Sequence, residues 1–130
     1  LKEDVKNDLK WNYTRKLITL SPNKGFKILK VKTNTIDNFC KNNKVTKIDI
    51  LKIDVEGSEL EVLKGSKKIL DKTKIIQVEI LQNKKNFNKI KKKITILLKK
   101  YNFHKISEKN IYSVSLFSNL KSSDLLFIKL

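Results

Sequence analysis

Three acidic side chains, Asp54, Glu56 and Glu79, fall where an α/β chain does its chemistry. The apolar run KIDILKID closes on Asp54-Val55-Glu56-Gly57, and the run KIIQVEI ends near Glu79. In open α/β sheets ligands bind beyond the carboxyl ends of the strands, where the backbone turns and side chains meet solvent or ligand instead of core. If the two runs are neighbouring strands, three carboxylates converge on one crevice. The surrounding chain has 30 basic and 13 acidic residues and a formal charge of +17. Carboxylates so placed can take a proton from a reacting hydroxyl or favour a cation nearby. A divalent metal bridging Asp54 and Glu79 is compatible with this pattern, which does not demand one. Structural roles compete. Glu56 before a helix can stabilise its N-terminus, and Asp54 can pair with Lys52. Glu59 and Glu61 read as first-turn helix residues.

The other chemistry-bearing residues are less promising. Cys40 reads as a small core residue, because the only histidine, His104, is no evident partner for it. His104 lies inside an expected strand and reads as a surface or half-buried residue. Trp11, Tyr13 and Arg15 form a small aromatic-basic cluster best explained by packing. The three glycines, Gly25, Gly57 and Gly65, are too widely separated to build a glycine-rich phosphate loop.

One cysteine excludes an internal disulfide and suggests a reducing, cytoplasmic setting. No apolar run approaches the ~20 residues of a membrane span. The basic excess is almost all lysine, with Arg15 the only arginine. Nucleic-acid sites draw on arginine for its planar fork. The chain also lacks alanine and is rich in Lys, Asn and Ile, which points to an AT-biased gene and lysines on solvated faces. A basic nucleic-acid-binding module, or a non-catalytic α/β interaction module, is the alternative to an enzyme. The chain begins with Leu and contains no Met, so it reads as part of a longer protein.

Segment 1–27 is poorly defined, with a turn at Ser21-Pro22-Asn23-Lys24-Gly25; 28–130 reads as one domain portion. A one-face strand with Phe26, Ile28, Leu29 and Val31 comes first. Thr35 then caps a helix with Ile36, Phe39 and Cys40 inward. The run at Ile48–Ile53 has the continuous apolar character of a strand buried on both sides. Ser58 with Glu61 reads as a capping box, Gly65 as a left-handed helix stop, and Ser66 as the cap of a short turn through Leu70. After the second buried strand, Phe87, Ile90, Ile94, Leu97, Leu98 and Tyr101 form the inner face of a helix that stops at Asn102. FHKIS and DLLFIKL are two further strands. This order predicts an α/β sheet, mostly parallel with an antiparallel last strand, and helices on both faces.

The segment from Thr35-Ile36-Asp37, through LKIDVEG (Leu51 to Gly57) and Leu63-Lys64-Gly65, to a strand ending in Glu79 resembles the C-terminal part of the FkbM-type methyltransferases. The likeness spans about residues 30–130. It implies the C-terminal part of a Rossmann-like methyltransferase sheet and an S-adenosylmethionine-dependent enzyme. Its acceptor would be a hydroxyl of a sugar, glycan or small metabolite. The glycine-rich cofactor loop and the ribose-binding acid would then precede Leu1, and this chain alone would be inactive. Asp54, Glu56 and Glu79 would be its catalytic residues, with Asp54 the base. The His-like position of some relatives after the second glutamate is taken here by Ile80 and Leu81.

Overall fold

The computed structural model describes residues 32–111 and 120–130. The expected strand at Phe26–Val31, the turn at Ser21–Gly25 and the Trp11/Tyr13/Arg15 cluster lie outside the described residues. The chain divides between Asn34 and Thr35, and every element below belongs to Thr35–Leu130. In order these are α1 (Ile36–Asn42), β1 (Ile48–Ile53), α2 (Glu59–Lys64), α3 (Lys67–Leu70), β2 (Thr73–Asn83), α4 (Lys84–Lys99), β3 (Phe103–Ile111) and β4 (Leu120–Lys129).

The four strands form one sheet in the order β1-β2-β4-β3. β1 pairs with β2 in parallel, with Ile53 opposite Val78. The last strand runs antiparallel, as its missing crossover helix predicts, and inserts between β2 and β3. That insertion makes two of the three pairings antiparallel, so "mostly parallel" holds for strand directions and not for the pairings.

Ile53, Ile76, Val78, Ile80, Leu125 and Phe127 point to one face and pack with Leu60, Leu63, Leu70, Phe87, Ile94 and Leu98 of the helices. Among the described residues, α2, α3 and α4 all pack on this one face. The reason is topological. Right-handed crossovers that all step the same way across a sheet place their helices on one side, and β1→β2→β3 steps one way only. On the other face Ile50 is 64% exposed, which corrects the reading of β1 as buried on both sides. Apolar composition alone does not distinguish an edge strand from a central one.

Two local devices differ from the sequence reading. Gly65 has φ −84, so it is not a left-handed stop. A Cβ there would lie 3.2 Å from the Thr35 side chain, while Asp37 N–H donates to Gly65 O at 3.0 Å. Any larger residue would press on Thr35 at the start of α1. Likewise Ser66 caps nothing with its side chain; its hydroxyl donates to Val62 O at 2.7 Å. The cap of α3 is Asp37, whose carboxylate accepts from Lys68 N–H at 3.0 Å and Ile69 N–H at 2.9 Å. Thr35 does cap α1, accepting from Asn38 N–H at 3.1 Å. On α1 Cys40 is buried, but Phe39 is 56% exposed and leaves the inner face.

Helix α4 follows its sequence pattern. Phe87, Ile94 and Leu98 are fully buried; the helix ends at Lys99 with Lys100 as its cap, and Asn102, at φ 62, turns the chain just beyond it. Its Lys91 donates to Glu108 of β3 at 2.6 Å, and Lys105 donates to the other carboxylate oxygen. These hydrogen bonds lower Glu108 from 4.5 to about 2. A lowered pKa contributes stability that is complete above about pH 4.5 and disappears as pH falls towards about 2. Glu108→Gln is therefore expected to lower Tm at pH 7, by roughly 4–8 °C for a loss of roughly 1 kcal/mol, and to have little effect near pH 2. Equal losses at both pH values would show that the ion pairs are not responsible.

Candidate functional site

The parallel register decides where the acids go. Ile53 lies opposite Val78, so the next position, Asp54, lies alongside Glu79. Val78 faces the core, and alternation sends Glu79 to the opposite face. Asp54 is exposed and pairs with Lys52 Nζ at 3.2 Å. Glu79 is half-buried; burial pushes its carboxyl up, and the nearby charges of Asp54, Asp124 and Glu56 push the same way against Lys52. Asp54, Glu56 and Glu79 thus stand where the parallel pairing ends; β2 itself runs on to Asn83, which corrects the reading of Glu79 as the end of its strand.

Glu56 reaches this rim through a left-handed turn. It has φ 51, and Gly57 follows at φ 97. Two side chains hold the turn. Gln82, near the end of β2, donates from Nε2 to Gly57 O at 3.1 Å. Glu59 turns back to accept from Gly57 N–H at 2.5 Å. The expected Ser58–Glu61 capping box is therefore replaced: Ser58 has no side-chain capping bond, and Glu61 lies 3.6 Å from Lys64. Glu59 is 1% exposed and its carboxyl is raised chiefly by burial. A Cβ on Gly57 would stand 3.2 Å from Gln82 Nε2 and 3.4 Å from Leu81 O. Gly57→Ala is expected to cost about 1–2 kcal/mol from the left-handed backbone alone, measured by chemical denaturation. An unchanged midpoint would mean that the turn relaxes freely.

Two participants escape sequence reasoning. Gln82 looks like an ordinary polar residue at a strand end. Asp124 looks like the first residue of DLLFIKL, but β4 begins at Leu120 and places Asp124 inside the strand, directly opposite Glu79. The available signal was an aspartate in a β-favouring run, where it is disfavoured unless it has a role.

Other candidates stay apart. His104 is exposed and pairs with Ile128, which pairs with Ile75; that rung lies roughly 13 Å along β2 from Glu79 at ~3.3 Å per residue. Cys40 is a buried free thiol. Among the described residues no three His, Cys, Asp or Glu side chains are arranged to hold a metal ion, and no helix is long and apolar enough to cross a membrane. A row of carboxylates on adjacent strands can instead take a proton or face a positively charged group.

The Methyltransferase FkbM domain matches residues 6–105. The match begins well before the likeness seen in the sequence and ends before β4. No curated protein matches the chain. Among solved structures the chain is similar to wild-type Trm5b from Pyrococcus abyssi, at 13% identity and a TM-score of 0.49. The likeness covers 71% of this chain and 32% of that one, so this chain spans about a third of that structure.

Proposed function

The chain belongs to the Methyltransferase FkbM domain family, and from that premise we propose that it is part of an S-adenosylmethionine-dependent methyltransferase acting on a hydroxyl of a sugar, glycan or small metabolite. The observation that carries this reading is the carboxylate row where the pairing of β1 with β2 ends, with Asp54 exposed just past β1 and Glu79 beside it within β2. The bound donor supplies an electrophilic methyl group on a positively charged sulfonium. The row fits such a group, since it concentrates negative charge in a chain of net charge +17. Its sheet is read as the C-terminal part of a Rossmann-like methyltransferase sheet, with the last strand inserted antiparallel.

Asp54 is the residue we assign as general base. It is exposed enough to meet an acceptor hydroxyl, and Lys52 holds its carboxylate in place. As the acceptor oxygen attacks, its proton passes to Asp54. Glu56, on the strained turn, orients the acceptor, and Glu79 helps Asp54. Alignment of the acceptor supplies a large share of the rate. Exposed lysines stand on many described elements, among them Lys41 on α1, Lys67 on α3, Lys92 on α4 and Lys121 on β4. That spread favours a solvated surface over a nucleic-acid footprint, and so supports a small acceptor.

The test is an incubation of the gene product containing these residues with methyl-labelled S-adenosylmethionine and a panel of sugars and small hydroxylated metabolites. The expected result is label recovered as an O-methyl group. Label on nitrogen or carbon, or none with any hydroxyl acceptor, would remove the assignment.

A further inference from the structure

Glu79 has a carboxylate on each side. Asp54 flanks it from β1, and Asp124 is its directly opposite partner on β4. Opposite residues of an antiparallel pair place their Cβ atoms ~4.5–5.5 Å apart on the same face. That face is the one away from the core, because the neighbouring pair Val78 and Leu125 is fully buried against the helices. Like charges opposite one another destabilise a sheet, so this rung is unfavourable if both groups are ionised.

A second observation concerns Asp124 itself. Its Oδ1 is closed to solvent and has no hydrogen-bond partner. One pleat along the same face Ser122 is 5% exposed, and its Oγ is also unpartnered. Lys109 lies opposite Asp124 on β3 but makes no ion pair with it among the described residues. A buried acceptor without a donor is costly. The side chain across the rung becomes a donor on gaining one proton, since a neutral carboxyl carries an O–H.

We propose that Asp124 is a fourth carboxylate of the site and that it shares a single proton with Glu79, Glu79 donating to Asp124 Oδ1. One proton removes the repulsion and supplies the missing donor. The charged groups facing Glu79 are Asp54 and Lys52 from β1, Glu56 from the turn, and Asp124 from β4, with Lys109 beyond it. Burial and three of these acids raise the Glu79 carboxyl and only Lys52 opposes them. The catalytic consequence rests on the methyl-transfer reading: with Glu79 holding the shared proton, Asp54, which has its own lysine, is the member of the row that receives the proton of the acceptor.

The experiment is a carboxyl-carbon NMR titration of the protein labelled at Glu side chains, as wild type, Asp124→Asn and Lys109→Ala. In the wild type Glu79 is expected to titrate above the exposed glutamates, and in Asp124→Asn its midpoint moves down. Lys109→Ala leaves Glu79 above the exposed glutamates. If Glu79 titrates with the exposed glutamates in the wild type, or keeps its midpoint in Asp124→Asn, the shared proton does not exist. If Lys109→Ala alone raises a low Glu79 midpoint, Lys109 is the partner of Asp124 and the proposal fails. Should Asp124→Asn not fold, a wild-type Glu79 that titrates with the exposed glutamates still overturns the proposal. A further pair of variants decides as well: Glu79→Gln keeps a donor opposite Oδ1 and should melt above Glu79→Ala, whereas the reverse order counts against the bond. The titration needs no substrate, so a raised Glu79 in a protein that methylates nothing would sink the functional reading and leave the pair standing.

Discussion

Asp54→Asn is expected to lower the rate of methyl transfer by about 10²–10⁴-fold, the range for losing a positioned general base. Asparagine keeps the shape of the side chain and cannot take a proton at neutral pH. The folded state should hardly register the change. The Asp54 side chain is 38% exposed and its ion pair with Lys52 is 3.2 Å long between two exposed groups, and such pairs contribute little to stability. The loss should therefore appear in kcat, with KM for the acceptor changed much less, because the proton moves only as the oxygen attacks. Steady-state kinetics beside a thermal melt separate the two effects. A variant within a few-fold of wild-type turnover would take Asp54 out of the chemistry, and Glu79 would become the base to test.

The parts of the fold legible in the sequence are those whose causes are local. The period of Phe87, Ile94 and Leu98 is set by the helix itself, and those three residues are fully buried. Thr35 caps its own helix within three residues. The errors arise where a distant residue supplies what a neighbour could have supplied. Ser66 is chemically able to cap α3, yet Asp37, about thirty residues upstream, takes the place. Gly65 looks like a left-handed stop, yet its smallness serves contact with Thr35. Ser58 and Glu61 have capping-box spacing, yet Glu59 is already folded back onto Gly57. Each of these contacts depends on how elements pack, which spacing along the chain does not encode.

The site divides in the same way. Asp54 could be placed because it ends an apolar run, and Glu79 because it falls beside that end in a parallel neighbour, although its own strand continues to Asn83. Asp124 could not, because its position follows from the register of β4 against β2. A shift of one residue in that register would send Asp124 to the helical face. Gln82 was invisible for a related reason: its bond to Gly57 O spans 25 residues.

The largest expected loss of stability comes from the last strand. Phe127 is fully buried and lies opposite Ile76 in β2 and Lys105 in β3. β4 is hydrogen-bonded on both sides, so β3 reaches the parallel pair only through it. Phe127→Ala removes a ring from the shared core of sheet and helices, and is expected to cost about 3–5 kcal/mol. That is a large fraction of the roughly 5–15 kcal/mol that holds a domain together. Ile50→Ala is the matched comparison, since Ile50 is 64% exposed on the other face, and it should change stability by less than about 0.5 kcal/mol. Denaturant midpoints of the two variants measure the contrast directly. Comparable losses would mean that the face bearing Ile50 is packed in the folded protein, and the picture of a sheet with its helical core on one side would fail.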